Sequence, residues 1–138
     1  MVEVSHLFDW SRTPLFLTKW GKSFDVASMN GASNFQLVVA SYSPSDITDC
    51  LDANGTLNND VTVAQAIDCG LKWQDDVIKL NADVTWSIGD SIVPLKALFL
   101  RDKNSGFVLG YSINNTSFEI TNQLKFNKDT IFWSIING

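Results

Sequence analysis

Few residues of this 138-residue chain combine the type and the spacing that chemistry demands, and the carboxylates come closest. Asp75-Asp76 is a pair of the residue type that hydrolyses glycosides. Neighbours on a strand point to opposite faces and neighbours in a hairpin tip face water, so this pair is not expected to converge on a substrate. Asp52-Ala53-Asn54-Gly55-Thr56 opens like a calcium-binding loop, but its glycine comes fourth rather than sixth, and Asp-x-Asn-Gly is an ordinary turn sequence. The single histidine, His6, stands beside Leu7 and Phe8 and joins no Ser/His/Asp pattern. Cys50 and Cys69 form no C-x-x-C, and two thiols alone cannot close a tetrahedral zinc site. They read as buried or half-buried free thiols, with a bridge as the lesser option. No nucleophile elbow, phosphate loop, dinucleotide fingerprint or zinc-protease motif occurs. The expectation is a protein that is not an enzyme and that uses no cofactor and no metal.

The tryptophans offer a different chemistry, the stacking of sugars on exposed rings. There are five: Trp10, Trp20, Trp73, Trp86 and Trp133. Trp86 and Trp133 alternate with other apolar residues, which assigns them to a core. Trp73 is ambiguous. Trp10 and Trp20, with Phe16 between them, crowd the N-terminal segment and read either as exposed rings or as anchors of a partner interface, where aromatic residues are enriched. Asn54-Gly55-Thr56 and Asn115-Thr116-Ser117 match glycosylation acceptors, which matter only in a secreted protein.

Composition narrows the classes. Hydrophobic residues make up 45% and charged ones 18%, which excludes a disordered chain. A chain of this length builds one domain with a real core. No apolar run reaches the roughly 18 residues of a membrane-spanning helix, so no membrane partner is expected. The start, MVEVSHLFDWSRTPLF, has no basic residue leading into an apolar core, so a signal peptide is not expected and folding in a cytoplasm is. The net charge of −5 is uneven: Asp46, Asp49, Asp52, Asp60, Asp68, Asp75, Asp76, Asp83 and Asp90 face only Lys72 and Lys79. This segment reads as a solvated acidic face. With no basic stripe to neutralise phosphates, nucleic acid is not an expected partner.

The elements that must position all this are strands. Val84 to Ile113 organises the chain and reads as three of them. Val84, Trp86 and Ile88 alternate with polar residues, Gly89-Asp90 turns, and Ile92 to Leu100 is apolar enough to be covered on both faces. Asp102 to Gly106 makes a hairpin tip, and Phe107, Leu109, Tyr111 and Ile113 share one face. Upstream, residues 1–34 form an irregular arm with a short strand candidate, Leu15 to Trp20, that either folds back on its own domain or reaches a neighbouring subunit. Phe35 to Tyr42 is a strand, Ser45 or Asp46 caps a helical turn through Leu51, and Asp52 to Gly55 turns. Val61 to Asp68 alternates, and Leu71–Trp73 and Val77–Leu80 flank a hairpin tip. Downstream, Asn114-Asn115-Thr116 and Asn122-Gln123 read as turns around Ser117–Thr121, and Leu124–Phe126 and Thr130–Ile136 close the chain as strands. Roughly nine short strands at spacings of about ten residues predict an all-β single domain, a β-sandwich or jelly roll, with residues 1–34 belonging to the same domain as the sandwich of 35–138.

The order of these features resembles a family of small tailed-bacteriophage virion proteins. The strand and turn Leu37-Val38-Val39-Ala40-Ser41-Tyr42-Ser43-Pro44 with Asp46 soon after, the lead-in Asp83-Val84-Thr85-Trp86, the exit Leu109-Gly110-Tyr111, and the closing Leu124-Lys125-Phe126 and Ile131 to Ile135 carry the resemblance over roughly residues 35–136. Val61 to Gly70 stands where such proteins usually have Gly-Tyr and Gly-Gly, and residues 1–34 have no clear counterpart. The resemblance implies a non-enzymatic particle component made in the host cytoplasm and located in the virion. A capsid decoration or auxiliary (cement-like) role is preferred over a tail-associated one. Its implied partners are the major capsid protein or other virion proteins and further copies of itself, and the arm residues Trp10, Phe16 and Trp20 are the expected anchors. A carbohydrate or cell-surface binding module is the remaining alternative.

Overall fold

Residues 2–3, 35–74, 77–129 and 131–134 are described in a computed structural model of the chain. Among them the fold is all-β, as expected, built as two sheets with one single-turn helix. The larger sheet has the order β1-β7-β6-β2-β3, from β1 (Val2–Glu3), β2 (Phe35–Tyr42), β3 (Thr62–Cys69), β6 (Val84–Asp102) and β7 (Val108–Phe126). All its pairings are antiparallel except that of β1, which runs parallel to Leu124-Lys125 of β7. The smaller sheet is β4-β5-β8, from β4 (Leu71–Gln74), β5 (Val77–Leu80) and β8 (Ile131–Ser134), also antiparallel. The helix α1 (Ile47–Cys50) is capped by Asp46, whose carboxylate accepts the Thr48 amide and hydroxyl, each at 3.0 Å.

β2 is apolar on both sides because the larger sheet is covered on both faces. Phe35, Leu37 and Val39 join Leu95, Leu98 and Leu100 of β6, Leu109, Ile120, Leu124 and Phe126 of β7, and Leu71 and Leu80 of the smaller sheet, so one apolar cluster links the two sheets. On the opposite face Val38, Ala40, Ala97, Phe99 and Val108 meet Cys50, Leu51 and Val61, supplied by the β2–β3 connection that carries α1. The two cysteines therefore sit in different clusters, on opposite faces of the larger sheet, and are free thiols.

The strand count is where expectation and structure part. Val84 to Ile113 holds two strands, not three. β6 runs through Gly89-Asp90 without ending, and β7 runs through Asn114-Asn115-Thr116 and Asn122-Gln123. Each turn signal has become an irregularity of a continuous ribbon. The register steps from Gly89↔Asn122 to Ile92↔Thr121, which leaves Asp90 and Ser91 unopposed, and from Leu95↔Phe118 to Ala97↔Ile113, which leaves extra residues on β7. Gly89 and Asn122 face each other with φ of 77° and 65°, so the two left-handed residues sit at one point of the ribbon.

Two face assignments change for the same reason. Leu100↔Gly110 is followed by Arg101↔Val108, so Leu109 is an inserted residue. Phe107 and Leu109 pack on the cluster shared by the two sheets, whereas Tyr111 and Ile113 pack on the other one. The expected common face of Phe107, Leu109, Tyr111 and Ile113 is therefore split by one bulge. In the Ile92 to Leu100 run, Ala97 to Leu100 are buried on both faces, but Ile92 is 60% exposed.

Candidate interaction surface

Three crossings between the sheets bring several polar side chains together. β3 leaves the larger sheet at Cys69 and β4 enters the smaller at Leu71, turning on Gly70 alone. The chain returns through Asn81 to Asp83 and leaves again through Asn127 to Asp129. The Asn81 amide donates to Gly70 O at 2.9 Å and the Asp129 amide donates to Leu80 O at 2.9 Å, so the crossings are clamped to one another. Asp83 accepts the Lys128 amide at 2.6 Å and lies 3.6 Å from Lys125 Nζ, and Lys72 pairs with Asp129 at 2.5 Å. A cleft of about 220 Å³ opens here, lined by Asp68, Cys69, Gly70, Asn81, Ala82, Asp83 and Val84.

The groups around this cleft are committed to the fold. Asp68 is held below the usual carboxylate range first by Lys103, which donates at 2.7 Å, then by Gln36 Nε2 at 2.9 Å. Asp83 is held low by the Lys128 amide and then by Lys125. Burial, and secondarily the charge of Asp68, pushes the Cys69 thiol up to about 12, so it is not a thiolate at neutral pH. Asp68 also ends a row across three strands. Arg101 Nε and Nη2 donate to Gln36 Oε1 at 3.0 and 2.8 Å, and Gln36 passes a hydrogen bond to Asp68. These residues are direct register partners, Arg101↔Gln36↔Asp68. They lie far apart in sequence, and only the strand order reveals the row.

Among the described residues, the carboxylates of the acidic segment are solvent-exposed, and several cap turns. Asp52 Oδ1 accepts the amides of Asn54 at 2.9 Å and Thr56 at 3.1 Å, and Oδ2 accepts the Thr56 hydroxyl at 2.5 Å. Those donors, the hydroxyl foremost, hold the Asp52 carboxyl below its usual range. A carboxylate saturated by its own loop closes a turn. Asp75-Asp76 lie outside the described residues. Among the described residues, no group of three or more metal-ligating side chains converges. No helix among them is long and apolar enough to cross a membrane.

A candidate surface for a partner among the described residues is the β3 edge. β3 pairs with β2 and with no other strand among the described residues. Beside it, Tyr42 is 58% and Val63 44% exposed, on neighbouring positions of β2 and β3. Sheet edges are normally blunted by lysine, proline or bulges. The β6 flank beyond the end of β2 carries Pro94 and the Gly89 irregularity, and β7 carries extra residues after Ile113. β3 has neither lysine nor proline. Its register with β2 shifts at Ala64 and at Ser41, both near the start of β3, and Gln65 to Cys69 pairs regularly.

Trp10, Phe16 and Trp20, the anchors expected from sequence, lie outside the described residues, as does the rest of the arm apart from Val2–Glu3. The same holds for the side chains of Trp73 and Trp133. Trp86 is half-buried against the shared cluster, as its alternation implied. The β3 edge went unseen in the sequence because alternation identifies a strand but not its neighbours. No protein-family model matches the chain, and neither does any curated protein or any solved structure.

Proposed function

We propose that this chain is a non-enzymatic structural protein of a tailed-bacteriophage virion, docking on the capsid as a decoration or auxiliary protein. Tail association is the alternative position in the same particle. The order of motifs between Leu37 and Ile135 supports the reading from the sequence side. The observation that carries it on the structural side is the β3 edge: unblunted by lysine or proline, flanked by exposed Tyr42 and Val63, and held on a sheet covered on both faces. An open strand edge gives a docking partner main-chain hydrogen bonds, and the adjoining apolar side chains give area. In this reading the two sheets are a jelly-roll-like module whose partners are the major capsid protein, other virion proteins or further copies of the chain.

The fold's own use of its polar groups agrees with a binding rather than a catalytic role. Asp46, Asp52, Asp68, Asp83 and Asp129 each hold a turn, a crossing or a neighbouring strand. The test is co-sedimentation of the purified protein with capsids that lack it. Val63→Lys and Gln65→Lys place charges on the exposed edge, where surface substitutions usually change stability by less than about 0.5 kcal/mol. Each variant is expected to keep the melting temperature and to weaken docking about tenfold, roughly 1.4 kcal/mol of interface. Full-strength docking by both would remove this edge from the interface. Failure of the wild-type protein to dock on capsids or tails would remove the virion role.

A further inference from the structure

The Asp52 to Thr56 turn, which neither metal binding nor glycosylation explains, presents a different chemistry. Asn54 is exposed and is followed by Gly55, the residue that least obstructs attack on the preceding side chain. We propose that Asn54 is a site of spontaneous deamidation that stays latent while this turn is docked and becomes reactive when it opens.

The step balances with water alone. Hydroxide removes the Gly55 amide proton, the nitrogen attacks Asn54 Cγ, and the Cγ–Nδ2 bond breaks with loss of ammonia, the departing nitrogen taking its proton from water. The five-membered succinimide then adds water. Opening at the former side-chain carbonyl leaves an ordinary aspartate at this position. Opening at the main-chain carbonyl gives isoaspartate, which adds one carbon to the backbone path.

Docking opposes the first two events. The Gly55 amide donates its proton to Asp52 O at 3.1 Å, so removing the proton also removes that bond. The Asn54 and Thr56 amides on either side are held by Asp52 Oδ1 at 2.9 and 3.1 Å, which prevents the rotation that would bring Gly55 N against Asn54 Cγ. Gly55 itself is buried at φ 80°, and its carbonyl accepts the Val108 amide at 3.0 Å. Thr56 bridges Phe107, and a methyl group at Gly106 would come within 3.3 Å of Thr56 Cγ2, so the turn and the β6–β7 tip are in close contact. Reaction therefore requires local opening, and its rate follows the open fraction. Once formed, isoaspartate lengthens the backbone at the point where Gly55 O meets Val108, and the turn cannot re-dock as before. The covering segment that carries Leu51 and Leu57 onto the second cluster is loosened with it.

The test is peptide mapping of the full chain by mass spectrometry during incubation at mildly alkaline pH, with isoaspartate quantified at the position of Asn54. Three samples are compared: wild type folded, wild type in denaturant, and Asp52→Ala under folding conditions. The folded wild type should react at least about tenfold more slowly than the denatured chain. Asp52→Ala, which removes the clamp and leaves Asn54-Gly55 intact, should lie between them. If Asp52→Ala fails to fold, Gly106→Ala, which presses on Thr56 from the other side, replaces it. Equal rates in folded and denatured wild type would overturn the latency. Absence of product at this position in the denatured chain would overturn the site.

Discussion

At the scale of single residues, one buried side-chain polar atom among the described residues stands without a hydrogen bond. Ser43 Oγ is buried with no hydrogen-bond partner, just beyond the Phe35–Ala40 core run. A buried hydroxyl left unpaired has lost its water and regained nothing. Ser43→Ala is therefore expected to stabilise the protein by about 1 kcal/mol, measured as a shift in the urea midpoint at constant slope. A loss of stability would mean that the hydroxyl does have a partner in solution. The two thiols show the opposite arrangement, apolar surroundings suiting a neutral group. Burial pushes Cys50 up to about 11, helped by Asp49, Asp46 and Asp60, and Cys69 up to about 12.

At the scale of elements, the ribbon of β6 and β7 is the feature least legible in the sequence. Phe35–Tyr42, the Asp46-capped turn of helix, the Asp52–Gly55 turn and the hairpin of β4 and β5 all stand where local signals put them. Those signals are short-range, and capping and turn chemistry act within a few residues. Gly89-Asp90 and Asn122-Gln123 carry the same turn chemistry, yet they end no strand. A glycine or asparagine in the left-handed region suits a bulge as well as a turn, and the partner strand across the ribbon decides between them. The Arg101–Gln36–Asp68 row and the β3 edge, unpaired on one side among the described residues, were illegible for a related reason, since both depend on strand order. Trp10, Phe16 and Trp20 were legible only as residue types suited to an interface. The ribbon carries a prediction of its own. Asn122 sits at φ 65°, where β-branched side chains are disfavoured by about 1–2 kcal/mol. Asn122→Val is expected to cost that much in chemical denaturation, whereas Asn122→Gly should be neutral or mildly stabilising. Equal losses from both substitutions would show that the asparagine side chain, not its backbone, matters there.

At the scale of the whole molecule, the protonation of the fold sets a stability plateau. Asp52, Asp68, Asp83 and Asp129 are all held below the ordinary carboxylate value of 3.8, by the Thr56 hydroxyl, Lys103, the Lys128 amide and Lys72 respectively. A depressed folded-state value means that the unfolded chain binds protons first, so their contribution is complete above 3.8 and is lost as the pH falls through the folded values. The thiols act at the other limb. Raised from 9.0 to about 11 and 12, they contribute fully below 9.0 and lose that contribution as the pH rises through the folded values. The melting temperature should thus be flat across neutral pH and decline below 3.8 and above 9.0, and a melting temperature that rose on acidification past 3.8 would reverse the sign assigned to the carboxylates. The docking role proposed for this two-sheet domain rests on the β3 edge, which carries neither lysine nor proline and pairs only with β2 among the described residues. The most direct measurement is quantitative mass spectrometry of phage particles purified from the host that carries this gene. Copies numbering in the hundreds per particle are the result expected of a capsid decoration protein, and a few to tens would place the chain at the tail or a vertex. Absence from the particles would contradict the virion role outright.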